Sequence, residues 1–180
     1  MIRKLGVIVC DTSPLFTLAL GDALDTLLMP GVPVSIPDAV YFEATRVEGA
    51  PGADRIAAWT RDNLQVRIVP TTNGLDQFRR FEEGRAIRGL GEQAAVEEMM
   101  RIIDRDPEAV VLLIFEDSDI AKRRGLLGDH AELITTGDFL RELEAAGRIQ
   151  SADAVLDAAA ATDAMSTSYD ACGRRNVELS

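Results

Sequence analysis

The sequence predicts an α/β fold of three layers, a central parallel sheet with helices on both faces. Three observations carry this. Short apolar runs alternate with helical patterns along the chain; the two most apolar runs, residues 6–10 and 109–115, lack the in-out alternation of a half-exposed strand; and both end abruptly in acids. With 180 residues, 47% of them hydrophobic and 27% charged, the chain can bury one sizeable core. Residues 1–150 are expected to form one domain and 151–180 a C-terminal helix and mobile tail.

The first run, G-V-I-V-C, is β-branched and continuous, and Asp11-Thr12-Ser13-Pro14 follows it. Ser before Pro marks a helix start, with Ser13 as N-cap and Pro14 as first helical residue. Leu20, Leu24, Leu27 and Leu28 extend a helical pattern over 15–28, stopped by Met29-Pro30-Gly31. Residues 32–36 read as a second strand, and Pro37-Asp38 opens a helix carrying Glu43. A helix over 53–64 turns Ile56, Ala57 and Trp59 inward, and 66–69 is a third strand. The turn cluster Thr71-Thr72-Asn73-Gly74 leads into a polar helix over 75–84 bearing Arg79 and Arg80, with Arg85 and Arg88 beyond. Gly89-Leu90-Gly91 precedes Glu92 and a long helix ending near Asp106-Pro107, on which Glu97 and Glu98 are expected to face solvent. The run 109–115 then ends in Glu116-Asp117-Ser118-Asp119. A short helix over 120–127, a last strand over 133–135, a helix over 139–146 stopped by Gly147, and an Ala-rich helix over 152–161 complete the chain.

A net charge of −11 argues against a broad basic surface for nucleic acid. No apolar run approaches the roughly 20 residues that span a bilayer, and Met1-Ile2-Arg3-Lys4 leads straight into a strand, so a soluble, cytoplasmic protein is expected. Cys10 and Cys172 are too far apart in sequence and too different in setting to suggest a disulfide framework, and His130 is the single histidine. Any metal would therefore be held by oxygen, which suits Mg²⁺ or Mn²⁺.

Asp11 stands at the carboxyl end of a buried strand, where ligands of open α/β sheets bind. Alone it reads rather as a residue closing the turn, and Glu92 alone as a complement to its helix dipole, worth about 0.3–1 kcal/mol. Several carboxylates brought together would instead call for a cation, which polarises a phosphoryl oxygen and activates water. Other acid-after-strand chemistries fit less well. A haloacid-type phosphatase needs Asp where Ser13 stands, and a receiver domain needs a phospho-acceptor where Val69-Pro70 stands. No P-loop occurs, Gly89-Leu90-Gly91 lacks the third glycine of a dinucleotide fingerprint, and no serine or cysteine has a credible histidine partner.

Four motifs occur in order: V-C-D-T-S-P-L with Asp11, P-D-A-V-Y-F-E with Glu43, G-L-G-E-Q-A-A with Glu92, and L-L-I-F-E-D-S-D-I-A-K-R with Asp117 and Asp119. They resemble the successive motifs of PIN-domain nucleases, the superfamily that includes VapC-type toxins. The resemblance covers about residues 5 to 150. It implies a parallel sheet, a Mg²⁺- or Mn²⁺-dependent phosphodiesterase site and RNA as substrate. Carried over by position, Asp11, Glu43, Glu92 and Asp117 are the catalytic, metal-binding acids, Asp119 is an additional metal ligand, and Thr12 or Ser13 orients Asp11 or a metal-bound water. The E-D-S-D cluster departs from the Thr-x-Asp or Asp-Asp of many members and leaves the choice between Asp117 and Asp119 open. Toxin-type members are often homodimers restrained by a small antitoxin protein. RNA contacts are expected from Arg79, Arg80, Arg85, Lys122, Arg123 and Arg124. The alternative is a binding or regulatory protein that keeps the fold without catalysis; a small-molecule phosphatase is a more distant third.

Overall fold

In a computed structural model of the chain, the described residues are 4–47, 49–50, 52–87, 89–116 and 130–175, with side chains as far as residue 163. Five strands form the sheet: β1 (Leu5–Cys10), β2 (Val34–Pro37), β3 (Val66–Val69), β4 (Val110–Phe115) and β5 (Ala131–Thr135). Their order is β3-β2-β1-β4-β5 and every pairing is parallel. The helices are α1 (Thr12–Leu20), α2 (Asp38–Thr45), α3 (Ala53–Asp62), α4 (Thr72–Glu82), α5 (Leu90–Arg105), α6 (Thr136–Ala145) and α7 (Ala152–Arg175). The three-layer α/β fold is the one expected.

Strand alternation divides the core in two. Ile8, Cys10 and Ile114 pack with Leu15 and Leu18 of α1 and Phe139 and Leu140 of α6. Val9, Val111, Leu113 and Phe115 face the other way and pack with Ala95 and Met99 of α5. Both faces of β1 and β4 are thus covered, which is why their sequences are continuous apolar runs. Each buried Val, Leu, Ile, Phe or Met side chain among them contributes about 1.5–3 kcal/mol by leaving water.

Four expectations need correction. The helix predicted over 15–28 ends at Leu20, capped by Gly21, which lies against α7: a Cβ there would be 2.7 Å from the Val155 carbonyl oxygen. Asp22 then takes φ +54, and Leu24–Leu28 continues as a 3-10 helix burying Leu24 and Leu27. The N-cap of α1 is Asp11, not Ser13; its backbone is extended and its side chain makes no capping hydrogen bond. Glu98 does not face solvent. It is 3% exposed, accepts from Ser35 Oγ at 2.8 Å and pairs with Arg101, whose Nε donates at 2.7 Å. Glu97 is also engaged, accepting from the N–H groups of Thr72 (2.6 Å) and Asn73 (3.1 Å) and so closing the start of α4. The last helix runs to Arg175, beyond the predicted 161. The helix predicted over 120–127 lies outside the described residues. Among the described residues no helix is long and apolar enough to cross a membrane.

Candidate active site

The sheet order reverses at β1. From β1 the chain builds outward through β2 to β3, then crosses back to place β4 on the other side of β1. The crevice beyond the carboxyl ends of β1 and β4 is therefore the topological switch point, where α/β sheets bind ligands. Asp11 closes β1 there. Its N–H donates to the Ile114 carbonyl at 3.1 Å, prolonging the β1–β4 ladder, and the residue is 7% exposed.

Glu43 reaches the same edge from α2. Its half-buried carboxylate accepts from three segments: Oε2 from Thr12 Oγ1 at 3.0 Å, Oε1 from Gln77 Nε2 at 2.8 Å and from the Gly91 N–H at 3.1 Å. Thr12 is the chain neighbour of Asp11, the first predicted acid, and Gly91 that of Glu92, the third. The approach of α5 is close enough to require glycine: a Cβ at position 91 would lie 2.5 Å from Glu43 Oε2 and 3.1 Å from Thr12 Oγ1. Glu92 is half-buried in the first turn of α5, beside this contact. Thr12 and Gly91, the chain neighbours of Asp11 and Glu92, thus meet at the Glu43 carboxylate.

The fourth motif divides differently. Asp117 and Asp119 lie outside the described residues, as do Arg88, Lys122, Arg123 and Arg124. The described acid at the end of β4 is Glu116. Its Oε1 accepts from Thr17 Oγ1 of α1 at 2.8 Å and from Thr136 Oγ1 of α6 at 2.9 Å. Strand alternation puts Glu116 on the α1–α6 face with Ile114, whereas Asp11 continues the parity of Val9 toward α5. Sequence reading passed over Glu116, although it is the first acid after the strand. It also passed over Arg46, one turn beyond Glu43 on α2, which lines a cavity of about 440 Å³ together with Glu43, Ala86, Ile87 and Gly89. Of the expected RNA-contacting arginines, Arg80 pairs with Asp76 at 2.8 Å and Arg85 with Glu83 at 3.0 Å, both on the surface. The helix carrying Arg79 and Arg80 is not wholly polar, since Leu75, Phe78 and Phe81 stand at least half exposed along it.

The donors at this corner are oxygen atoms. Cys10 is fully buried and its thiol is pushed up, first by burial and then by the nearby carboxylates of Asp11 and Glu116, so it stays protonated and offers no thiolate. His130 precedes β5 at the opposite end of the sheet. Such a donor set suits a hard divalent cation. Among the described residues no group of three His, Cys, Asp or Glu side chains is close enough to hold one alone.

Comparison with known proteins agrees with this architecture. A family model described as PIN domain matches residues 7–97, which include Asp11, Glu43 and Glu92. No curated protein matches the chain. By the match over half its length, and by its parallel sheet with acids at the switch point, the chain belongs to the PIN domain family.

Proposed function

We propose that the protein is a metal-dependent endoribonuclease of the VapC-toxin type, hydrolysing RNA phosphodiester bonds at the corner formed by Asp11, Glu43 and Glu92. Family membership points to nuclease-type function. The observation that carries the finer reading is the hydrogen bond from Thr12, the residue after Asp11, to the Glu43 carboxylate of α2. Asp11, Glu43, Glu92 and Asp117, with Asp119 as a further ligand, hold Mg²⁺ or Mn²⁺ in this reading. Bound there, the cation supplies Lewis acidity toward the phosphoryl oxygen and lowers the pKa of water. Thr12, Gln77 and the Gly91 N–H fix the Glu43 carboxylate in orientation. Arg46 offers a guanidinium to the substrate phosphate from the same cavity wall as Glu43. A small antitoxin protein, a homodimer using the apolar side of α4, and a cytoplasmic setting belong to this proposal.

The test is cleavage of generic RNA with Mn²⁺ by the wild type and by Asp11→Asn and Glu43→Gln. Both substitutions are expected to lower the rate at least about 100-fold, as loss of an interaction realised in the transition state does. Equal rates in all three proteins would refute the assignment of these acids. The three donors already engaging Glu43 favour one alternative, a PIN-fold binding protein without catalysis in which this carboxylate only joins helices. Melting with and without Mn²⁺ separates the two. A true site at about 100 times its Kd gains about 2.7 kcal/mol, roughly 5–10 °C for a chain of this size. No shift at millimolar metal would favour the alternative.

A further inference from the structure

We propose that the cavity between α1 and α7 is a subsite for one nucleobase of an RNA strand, which Glu116 recognises through the base's amino edge. This rests on the nuclease reading above. The cavity measures about 580 Å³, within the range of small-ligand sites. It opens beside the candidate active site, since Ser13 in its wall is two residues from Asp11 and Glu116 ends the strand next to β1.

Its chemistry selects the ligand. Among the described residues the polar lining consists of the Ser13 and Thr17 hydroxyls and the Glu116 and Asp163 carboxylates, with no cationic side chain. That lining repels phosphate and accepts from N–H donors. Phe16, Leu156 and Ala159 make the rest of the wall apolar, suited to the faces of a flat ring. Glu116 is oriented in advance: the hydroxyls of Thr17 and Thr136 both donate to Oε1, leaving Oε2 to accept from a ligand. Adenine, cytosine and guanine present exocyclic amino donors, and guanine adds its ring N–H to the same edge. Uracil has no amino group; its single edge donor, the N3–H, is flanked on both sides by carbonyl oxygens that the carboxylate would also meet. The strand alternation completes the arrangement. Asp11 lies toward the α5 face and Glu116 toward the α1–α6 face, so a strand crossing the sheet edge can present a phosphate to the Asp11 side and a base to Glu116.

The experiment measures nucleoside binding by the full chain in buffer with chelator and without metal, by saturation-transfer NMR titration. Uncharged guanosine, adenosine, cytidine and uridine are the probes. The expected result is millimolar binding of the three amino-bearing nucleosides, with uridine at least tenfold weaker. Glu116→Gln, which replaces an acceptor by a donor, should reverse the preference toward uridine. Ala160→Trp, at the exposed rim of the cavity, should abolish nucleoside binding with an unchanged melting temperature. Absence of nucleoside binding, or uridine binding as well as the others, would overturn the subsite. So would binding of ethylguanidine in place of nucleosides, which would assign the cavity to a cationic peptide side chain. No step of this test requires cleavage. Nucleoside binding without RNA cleavage would refute the nuclease reading alone, whereas cleavage without nucleoside binding would refute the subsite alone.

Discussion

Gly91→Ala should damage the site while barely disturbing the fold. Gly91 is helical, so alanine there gains about 1 kcal/mol in helix propensity. The new Cβ, however, would sit 2.5 Å from Glu43 Oε2, roughly 1 Å inside an ordinary contact of about 3.5 Å. Backbone need not move, since the Glu43 carboxylate can swing away. Doing so breaks its bond from Thr12 at 3.0 Å and strains those from Gln77 and Gly91. A hydrogen bond to a charged acceptor contributes about 1.5–3 kcal/mol, so losing one against the propensity gain leaves a net cost of about 0.5–2 kcal/mol. That is a fall in Tm of roughly 1–8 °C. A catalytic group displaced by about 1 Å costs on the order of 100-fold in rate. The assay is a melt without metal beside Mn²⁺-dependent RNA cleavage. Wild-type cleavage by the variant would refute the role given to the Glu43 geometry, and a fall in Tm beyond about 15 °C would refute the claim that only the side chain yields.

Two further outcomes are expected. Glu98→Ala leaves the Ser35 hydroxyl and the Arg101 guanidinium without their buried partner; because Arg101 is about one third exposed, the cost should be about 2–4 kcal/mol rather than more. Urea denaturation at unchanged m would show it, and a loss below about 0.5 kcal/mol would mean that Glu98 is dispensable. Glu97 titrates below the usual 4.5: burial alone would raise it, but the hydrogen bonds from Thr72 and Asn73 outweigh burial. Its folded pKa is depressed, so its contribution is full above the unfolded value and disappears as pH falls through the folded one. Glu97→Gln should therefore be less stable than wild type at pH 7, with the gap closing below about pH 4.5. A gap that is constant with pH would show that the charge of Glu97 does not matter.

The strands were legible because β1 and β4, buried on both faces, must be apolar at every position, and no distant information is needed to see that. Asp11 and Glu43 were legible as acids following strand or turn signals. What hid Glu98 was its partner: it lies four residues after Ala94 on the buried side of α5, but Ser35 is 63 residues away in sequence. The need for glycine at position 21 was hidden similarly, since Gly21 is crowded by Val155 of a helix from the far end of the chain. In the run E-D-S-D, composition does not say which acid the strand delivers to which face. That depends on the register of β4 against β1, where Cys10 meets Ile114. Arg46 carries no local signal, because an arginine on an exposed turn is ordinary until its neighbour is seen to be Glu43.

The sheet order also bears on how the protein is made. β3, β2 and β1 come from the first 69 residues, and Thr12, Glu43, Gln77 and Gly91 have all been synthesised before β4 begins at Val110. The nascent chain can therefore gather the Glu43 contacts while β1, later the middle strand, is still an uncovered edge with unpaired backbone groups. During that interval it is open to pairing with another chain. Only the arrival of β4, paired with β1 across about a hundred residues, closes the edge and supplies the second wall of the crevice. A chain ending near residue 100 would thus keep the Glu43 contacts but leave β1 an open, aggregation-prone edge.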